Sequence, residues 1–135
     1  AENLRFFGGI YGLAGAHLAR RMRHALEMAE LTAHADSLVS ELAGGWKQRL
    51  ALGCAILHEP PILFLDEPSA ALDERTTLEL AELLKELNHR VQIVVVSHDR
   101  LFVEACCDRG VSISQGVASP TKTVENLFLN SNEKE

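Results

Sequence analysis

Ile62-Leu63-Phe64-Leu65 runs straight into Asp66-Glu67-Pro68. Four apolar residues delivering two adjacent carboxylates are how a buried parallel strand presents acid groups to a metal-bound phosphate. A hard cation takes oxygen ligands, so a carboxylate at a strand's end is its expected partner, and Asp66 stands there. Glu67 is expected to aim elsewhere, because side chains alternate along a strand. Upstream, Leu42-Ala43-Gly44-Gly45-Trp46-Lys47-Gln48-Arg49 puts two glycines at the start of a predicted helix. Glycines let backbone amides approach a phosphate, and a helix N-terminus adds partial positive charge. Downstream, Val94-Val95-Val96-Ser97-His98 ends a second apolar run on an imidazole, which can hydrogen-bond phosphate near pH 7. Each piece also has a plainer reading: an acidic turn after a strand, a Gly-Gly loop before a core helix, a structural histidine at a strand end.

The elements that must position these groups change period along the chain. Residues 1–58 read as nearly all helix. Leu4, Phe7 and Tyr11 recur at helical spacing, and Gly8-Gly9 and Gly12 loosen the end of that segment. Leu18, Met22, Ala25 and Ala29 mark one side of a second helix, and polar residues over 32–41 mark a loop. A third helix starts near Gly45, aligns Trp46, Leu50, Cys54 and Leu57, and stops before Pro60-Pro61. From there Ile62–Leu65 and Val91–Val96 read as strands buried on both faces. Asp73 fits the N-cap of a helix between them whose stripe is Leu80, Leu83, Leu84 and Leu87. A short helix near 99–106 follows, then a hairpin from Val111–Ser114 through a Gln115-Gly116 turn. Ser119-Pro120 fits an N-cap with proline at the first helical position, opening a last helix near 121–129. The polar tail 130–135 is expected to fray. Strand–helix–strand alternation implies an α/β parallel sheet.

In this order and spacing the three segments resemble the second half of an ATP-binding-cassette (ABC) ATPase domain. The resemblance implies a P-loop NTPase-like parallel sheet, incomplete, preceded by an α-helical signature subdomain. On that division, 1–58 is the helical subdomain ending in the signature helix, and 59–129 is the second half of the catalytic core. Asp66 then corresponds to the Walker B aspartate that helps hold Mg2+, and Glu67 to the base that orients the attacking water. His98 matches the H-loop histidine that contacts the γ-phosphate. Ala43, Gly44, Gly45 and Trp46 match the signature loop, which acts in trans on ATP bound to a second copy of the domain. Ser69-Ala70-Ala71-Leu72-Asp73 resembles the D-loop, so Asp73 has an interface role beside its capping role. Where the family pattern is Leu-Ser-Gly-Gly-Gln, this chain has Ala43 for the serine and Trp46 for the glutamine. The missing hydroxyl predicts weaker catalysis at the site this loop completes.

The resemblance implies ATP and Mg2+ as cofactors, a second nucleotide-binding domain as partner, and separate transmembrane permease subunits reached from the cytoplasmic face of the membrane. Glu2–Phe7 and Ile10–Leu13 are similar to the ABC-2 or multidrug-exporter branch, which implies export. No Gly-x-x-x-x-Gly-Lys-Ser/Thr loop, adenine-stacking aromatic or Q-loop glutamine is recognisable in these residues. The flanking strands are therefore expected to be missing, leaving open sheet edges and uncovered apolar surface. Ala1 and a Glu2-Asn3-Leu4 that reads as the inside of a helix predict a cut N-terminus, and the chain alone is expected to hydrolyse almost nothing. Two other readings stand beside this one: a truncated or degenerate cassette that only docks or regulates, and a DNA-repair or translation-type ABC ATPase.

Composition narrows these. The 135 residues, 47% apolar and 24% charged, suit one soluble domain with a core. A net charge of −6 argues against a direct nucleic-acid partner. Arg20-Arg21-Met22-Arg23-His24 reads as a solvated helix face. His17, His24, His34, His58 and His89 read as ordinary surface or loop residues. Three cysteines without a CxxC pair fit a reducing compartment, with Cys54 in the core and no chemistry assigned to Cys106-Cys107.

Overall fold

The computed structural model describes residues 1–121, 123, 124 and 126–129; the expected frayed tail, 130–135, lies outside them. Three helices open the chain: α1 (Glu2–Ile10), α2 (Gly15–Met28) and α3 (Gly44–Ile56). Two single turns of 3-10 helix, Thr32–His34 and Val39–Glu41, carry the chain from α2 to α3. Leu4, Ala25 and Ala29 are fully buried, whereas Phe7 and Tyr11, expected on the same stripe as Leu4, are exposed. Helix α1 runs through Gly8 and Gly9 instead of loosening there. Gly8 lies against α2, where an added Cβ would displace the end of the Leu18 side chain. The turn comes at Gly12, whose φ of +74° suits glycine.

The basic run on α2 is not a uniformly solvated face. Arg21 is buried, donating from Nε to Leu57 O at 2.9 Å and from Nη2 to Ile56 O at 3.1 Å. It thereby satisfies carbonyls that the end of α3 leaves without helical partners. Its Nη1 reaches Glu59 Oε1 at 2.6 Å, so the buried charge is paired. Arg49 of α3 is also buried, held by Glu30 after α2 and more loosely by Glu79 at 3.8 Å.

After Pro60-Pro61, β1 (Ile62–Asp66) pairs in parallel with β2 (Gln92–Val96), Ile62 opposite Gln92 and Asp66 opposite Val96. Parallel strands need a crossover, here helix α4 (Glu74–Asn88). Leu80, Leu83, Leu84 and Leu87 of α4 are all buried. Helix α5 (Arg100–Cys106) follows β2 and buries Phe102 completely. One cluster of buried side chains includes Leu4 of α1, Leu57, Leu63 of β1, Leu84 of α4 and Phe102 of α5.

The strands were expected to be buried on both faces, and they are buried on one. Leu63, Leu65, Ile93 and Val95 turn toward the cluster, while Phe64 and Val96 on the other face are 73% and 59% exposed. Among the described residues the helical layer covers one side of this two-stranded sheet, and no further strand pairs with it. The expected uncovered apolar surface is present as this face.

The expected hairpin is present: β3 (Gly110–Ser114) and β4 (Val117–Thr121) pair antiparallel across Gln115-Gly116. Both turn residues have positive φ, +50° and +77°, as tight hairpin turns require. Ser119-Pro120 does not open a helix. Both residues lie in β4, where Pro120 sits opposite Val111. An edge strand tolerates a residue without an N–H, and the two-stranded ladder supplies that edge. The last described helix, α6 (Asn126–Leu129), is shorter than the expected 121–129.

Candidate functional site at the carboxyl ends of β1 and β2

Parallel strands end together, so the residues that follow β1 and β2 meet. The Glu67 amide donates to Val96 O at 2.8 Å, adding one rung beyond Asp66. Glu67 then takes φ = +44°, in the left-handed region that is uncommon for a side chain of its size. Such a conformation costs on the order of 1–3 kcal/mol and persists where the surroundings over-determine it. This turn in the backbone, rather than strand alternation, separates the aim of Glu67 from that of Asp66.

The Glu67 carboxylate is held from two directions. His98 Nδ1 lies 2.7 Å from Oε1, and the Ser97 hydroxyl donates to Oε2 at 3.2 Å. The imidazole hydrogen bond is the main reason the Glu67 carboxyl sits below its usual range. The same bond, with the carboxylate charge, raises His98 above its usual value. Bonded through Nδ1, the ring presents Nε2 to solvent on a side chain that is 90% exposed. Asp66 is exposed at the end of β1, and no cluster of three or more ligand-type side chains forms among the described residues. That donor set fits Mg2+, which keeps several waters and takes one or two carboxylates plus substrate phosphates.

Sequence reasoning missed the residues behind this pair. Buried Ser69 donates to Asp99 Oδ2 at 2.7 Å. Asp99 accepts from Phe102 N at 3.2 Å, capping α5, while its own amide donates to Ser97 Oγ at 3.1 Å. A chain of polar groups thus runs from the turn after β1, through Asp99 and Ser97, to Glu67. An Asp directly before an amphipathic helix was the available signal, since it is a preferred N-cap. Gln48 of α3 also went unnoticed; its Nε2 donates to Pro68 O at 2.7 Å and ties α3 to the same turn.

The segment Ala43–Trp46 lies in a second cluster. Ala43 is the N-cap of α3 in extended geometry, φ −65° and ψ 163°, with no side-chain hydrogen bond. A Cβ added at Gly45 would lie 2.5 Å from Thr76 Cγ2, and one at Gly44 would lie 3.8 Å from Leu72 Cδ2. Gly45 therefore lets the start of α3 approach the start of α4, whereas a Cβ at Gly44 would make only an ordinary contact. Asp73 caps α4 by accepting from Thr76 N at 2.8 Å, and that bond lowers its pKa. Trp46 packs its ring 4.3 Å from that of His34, with the Arg49 guanidinium 5.4 Å from its centroid. His34 lies in the connection before α3 and His58 is exposed in the turn after it, as expected, and His58 stacks on Tyr11 at 4.0 Å. The structure joins Glu67 with His98 and Gly45 with the Asp73 cap, and among the described residues no hydrogen bond joins Ala43–Trp46 to Asp66, Glu67 or His98.

Comparison with known proteins gives a consistent result. The ABC transporter family model matches residues 1–70. The methionine import ATP-binding protein MetN of Clostridium acetobutylicum is 39% identical over 123 residues, 90% of this chain and 38% of that protein. The linearmycin resistance ATP-binding protein LnrL of Bacillus subtilis is 36% identical over 125 residues, 90% of this chain and 40% of that protein. The structure of cbiO1 from Clostridium perfringens, part of the ABC transporter complex cbiONQ, superposes with a TM-score of 0.81 at 26% identity, covering 93% of this chain and 51% of that one. The chain thus spans about two-fifths of the length of these curated relatives and half of the solved cassette. Its fold is part of the P-loop ABC ATPase fold, and the chain belongs to the ABC transporter family.

Proposed function

We propose that this chain is the later part of an ATP-binding subunit of an ABC transporter, hydrolysing ATP at the interface of two nucleotide-binding domains and driving export through separate transmembrane subunits. The observation that carries the reading is the Glu67–His98 pair at the carboxyl ends of two parallel strands. Bound Mg2+ would neutralise charge developing on the transferred phosphate, and Asp66 would hold it. Glu67 accepts the proton side of the attacking water and orients it. His98, its Nδ1 side fixed by Glu67, offers Nε2–H to a γ-phosphate oxygen. The left-handed backbone at Glu67 and the Ser97 bond keep the carboxylate aimed before substrate arrives. Ala43, Gly44, Gly45, Trp46 and Asp73 act in trans, closing the site of a second domain. Residues 1–58 serve as the helical subdomain ending in the signature helix and 59–129 as the second half of the catalytic core, working on the cytoplasmic face of the membrane.

The test is Glu67→Gln in the chain joined to an upstream half bearing a phosphate-binding loop. ATP is expected to stay bound while turnover falls about 100-fold or more. Unimpaired hydrolysis removes Glu67 as the base. A second reading, import, is favoured by the 39% identity to a methionine import protein. Transport into or out of vesicles reconstituted with the permease separates the two.

A further inference from the structure

Cys106 and Cys107 stand outside the site and outside the proposed reaction. Cys106 is the last residue of α5 and Cys107 is its C-cap, with the Cys107 amide still bonded to Val103 O at 3.0 Å. Both thiols are half-buried, and their sulfurs lie 3.7 Å apart on one side of the backbone. Side chains of adjacent residues usually diverge; here the change from helical backbone to an extended C-cap, φ −106° and ψ 136°, brings them together.

Such a pair is poorly placed to close on itself. Adjacent Cα atoms across a trans peptide are about 3.8 Å apart, whereas disulfides span roughly 4.4–6.8 Å between Cα atoms. A linear two-coordinate metal also fits badly, since bonds of roughly 2.3 Å on opposite sides would hold the sulfurs about 4.6 Å apart. Structural zinc wants four ligands, and no group of three or more ligand-type side chains is present among the described residues. What fits two sulfurs on one side is a single soft atom that binds both at a bent angle.

We propose that Cys106 and Cys107 form a bidentate dithiol site for trivalent arsenicals. Two S–As bonds form, the two thiol protons leave with the arsenic-bound oxygen as water, and arsenic stays trivalent, so no oxidant or reductant is needed. The pair is prepared for this reaction. The two sulfurs are within hydrogen-bond reach of each other, and that contact lowers the Cys107 thiol from its ordinary value, which favours its thiolate. The Cys106 thiol is pushed up by the same contact and by burial, and the second bond forms once the first S–As bond has brought arsenic within its reach. The third cysteine is a built-in control: Cys54 is buried in the core, its thiol pushed up to about 11 by burial.

The experiment adds phenylarsine oxide to the full 135-residue chain and follows intact mass, with 1,2-ethanedithiol as competitor. One arsenical per chain is expected, resistant to a monothiol and removed by the dithiol. Cys106→Ser and Cys107→Ser should each lose the dithiol-specific adduct, and Cys54→Ser should keep it. Circular dichroism of each serine variant checks the fold, and wild-type chain blocked first with N-ethylmaleimide gives the same comparison without substitution. Absence of an adduct on the folded wild-type chain, an adduct that persists in Cys107→Ser, or one that needs Cys54 would overturn the proposal.

Discussion

The carboxyl ends of β1 and β2 and the start of α3 hold motifs of equal weight in the sequence, and the structure uses them in opposite ways. At the strand ends side chains bond to side chains: His98 and Ser97 both hold Glu67, and Asp99 and Ser69 stand behind them. At the start of α3, among the described residues, no side chain of Ala43–Trp46 makes a hydrogen bond, and Trp46 only packs against His34 and Arg49. Gly45 contributes room, and Ala43 caps with no side-chain bond. One region is assembled within this chain, and the other is a shaped surface whose chemistry comes from whatever it faces. A catalytic apparatus split between two domains would be divided along such a line.

Variants can break this contrast. The largest effect is expected from the pair at the strand ends, assayed in the domain completed with its upstream half. Glu67→Ala and His98→Ala should each lower turnover about 100-fold or more. The double variant should cost little beyond the worse single one, because groups in direct contact act as a unit. Full additivity would mean that the 2.7 Å contact is incidental to catalysis.

Next comes packing at α3. Gly45→Ala puts a methyl group 2.5 Å from Thr76 Cγ2, and overpacking of this kind costs about 1–3 kcal/mol. Urea denaturation of this chain reads it directly, and Thr76→Ser in the same background should recover most of the loss. A cost that Thr76→Ser leaves untouched would mean that Gly45 is required by its backbone rather than by its neighbour. A smaller change of opposite sign is expected at Ala43. Its dihedrals are already those of an N-cap, so Ala43→Ser should stabilise the chain by about 0.5–2 kcal/mol. The same variant should raise turnover in the completed domain. Turnover that stays flat while stability rises would confine the hydroxyl to a capping role.

These differences also explain what could be read in advance. Strand-helix-strand order, the Asp73 cap, the α4 stripe and the hairpin turn were all legible, since each follows from local periodicity or turn chemistry. Ser119-Pro120 misled because the same dipeptide suits a helix start and an edge strand, and the ladder with Gly110–Ser114 decides between them. The uncovered face of β1 and β2 could not be read from Ile62–Leu65 itself. An apolar run says that both faces suit burial, not that two layers are supplied. Arg21 and Arg49 were hidden for a related reason: only tertiary structure shows that a charged helix residue meets the carbonyl end of another helix. Within the candidate site Asp66, Glu67 and His98 were readable as types at strand ends. The left-handed turn at Glu67 and the Ser69–Asp99 link were not, because they depend on how two distant turns approach each other.

The finest test of the comparison is the titration of His98, followed by NMR through its ring protons in this chain. Glu67 raises the His98 pKa, so the wild-type ring should titrate above about 6.5, and Glu67→Gln should bring it back toward that value. Asp99 also favours the charged ring, but the desolvation that opposes it is the larger effect, so Asp99 does not hold the value up in that variant. Ala43→Ser should leave the titration unchanged, since no hydrogen bond joins Ala43 to the pair among the described residues. Stability follows the same linkage. A raised His98 stabilises below about 6.5, and the contribution fades as pH rises through its folded value; a lowered Glu67 stabilises above about 4.3, and that part fades as pH falls through its folded value. The difference in urea midpoint between wild type and Glu67→Gln should therefore be widest between those two values and narrow on both sides. A difference that stays constant into alkaline solution would mean that Glu67 stabilises through the Ser97 bond, leaving the imidazole unpaired in solution and free to turn toward a ligand.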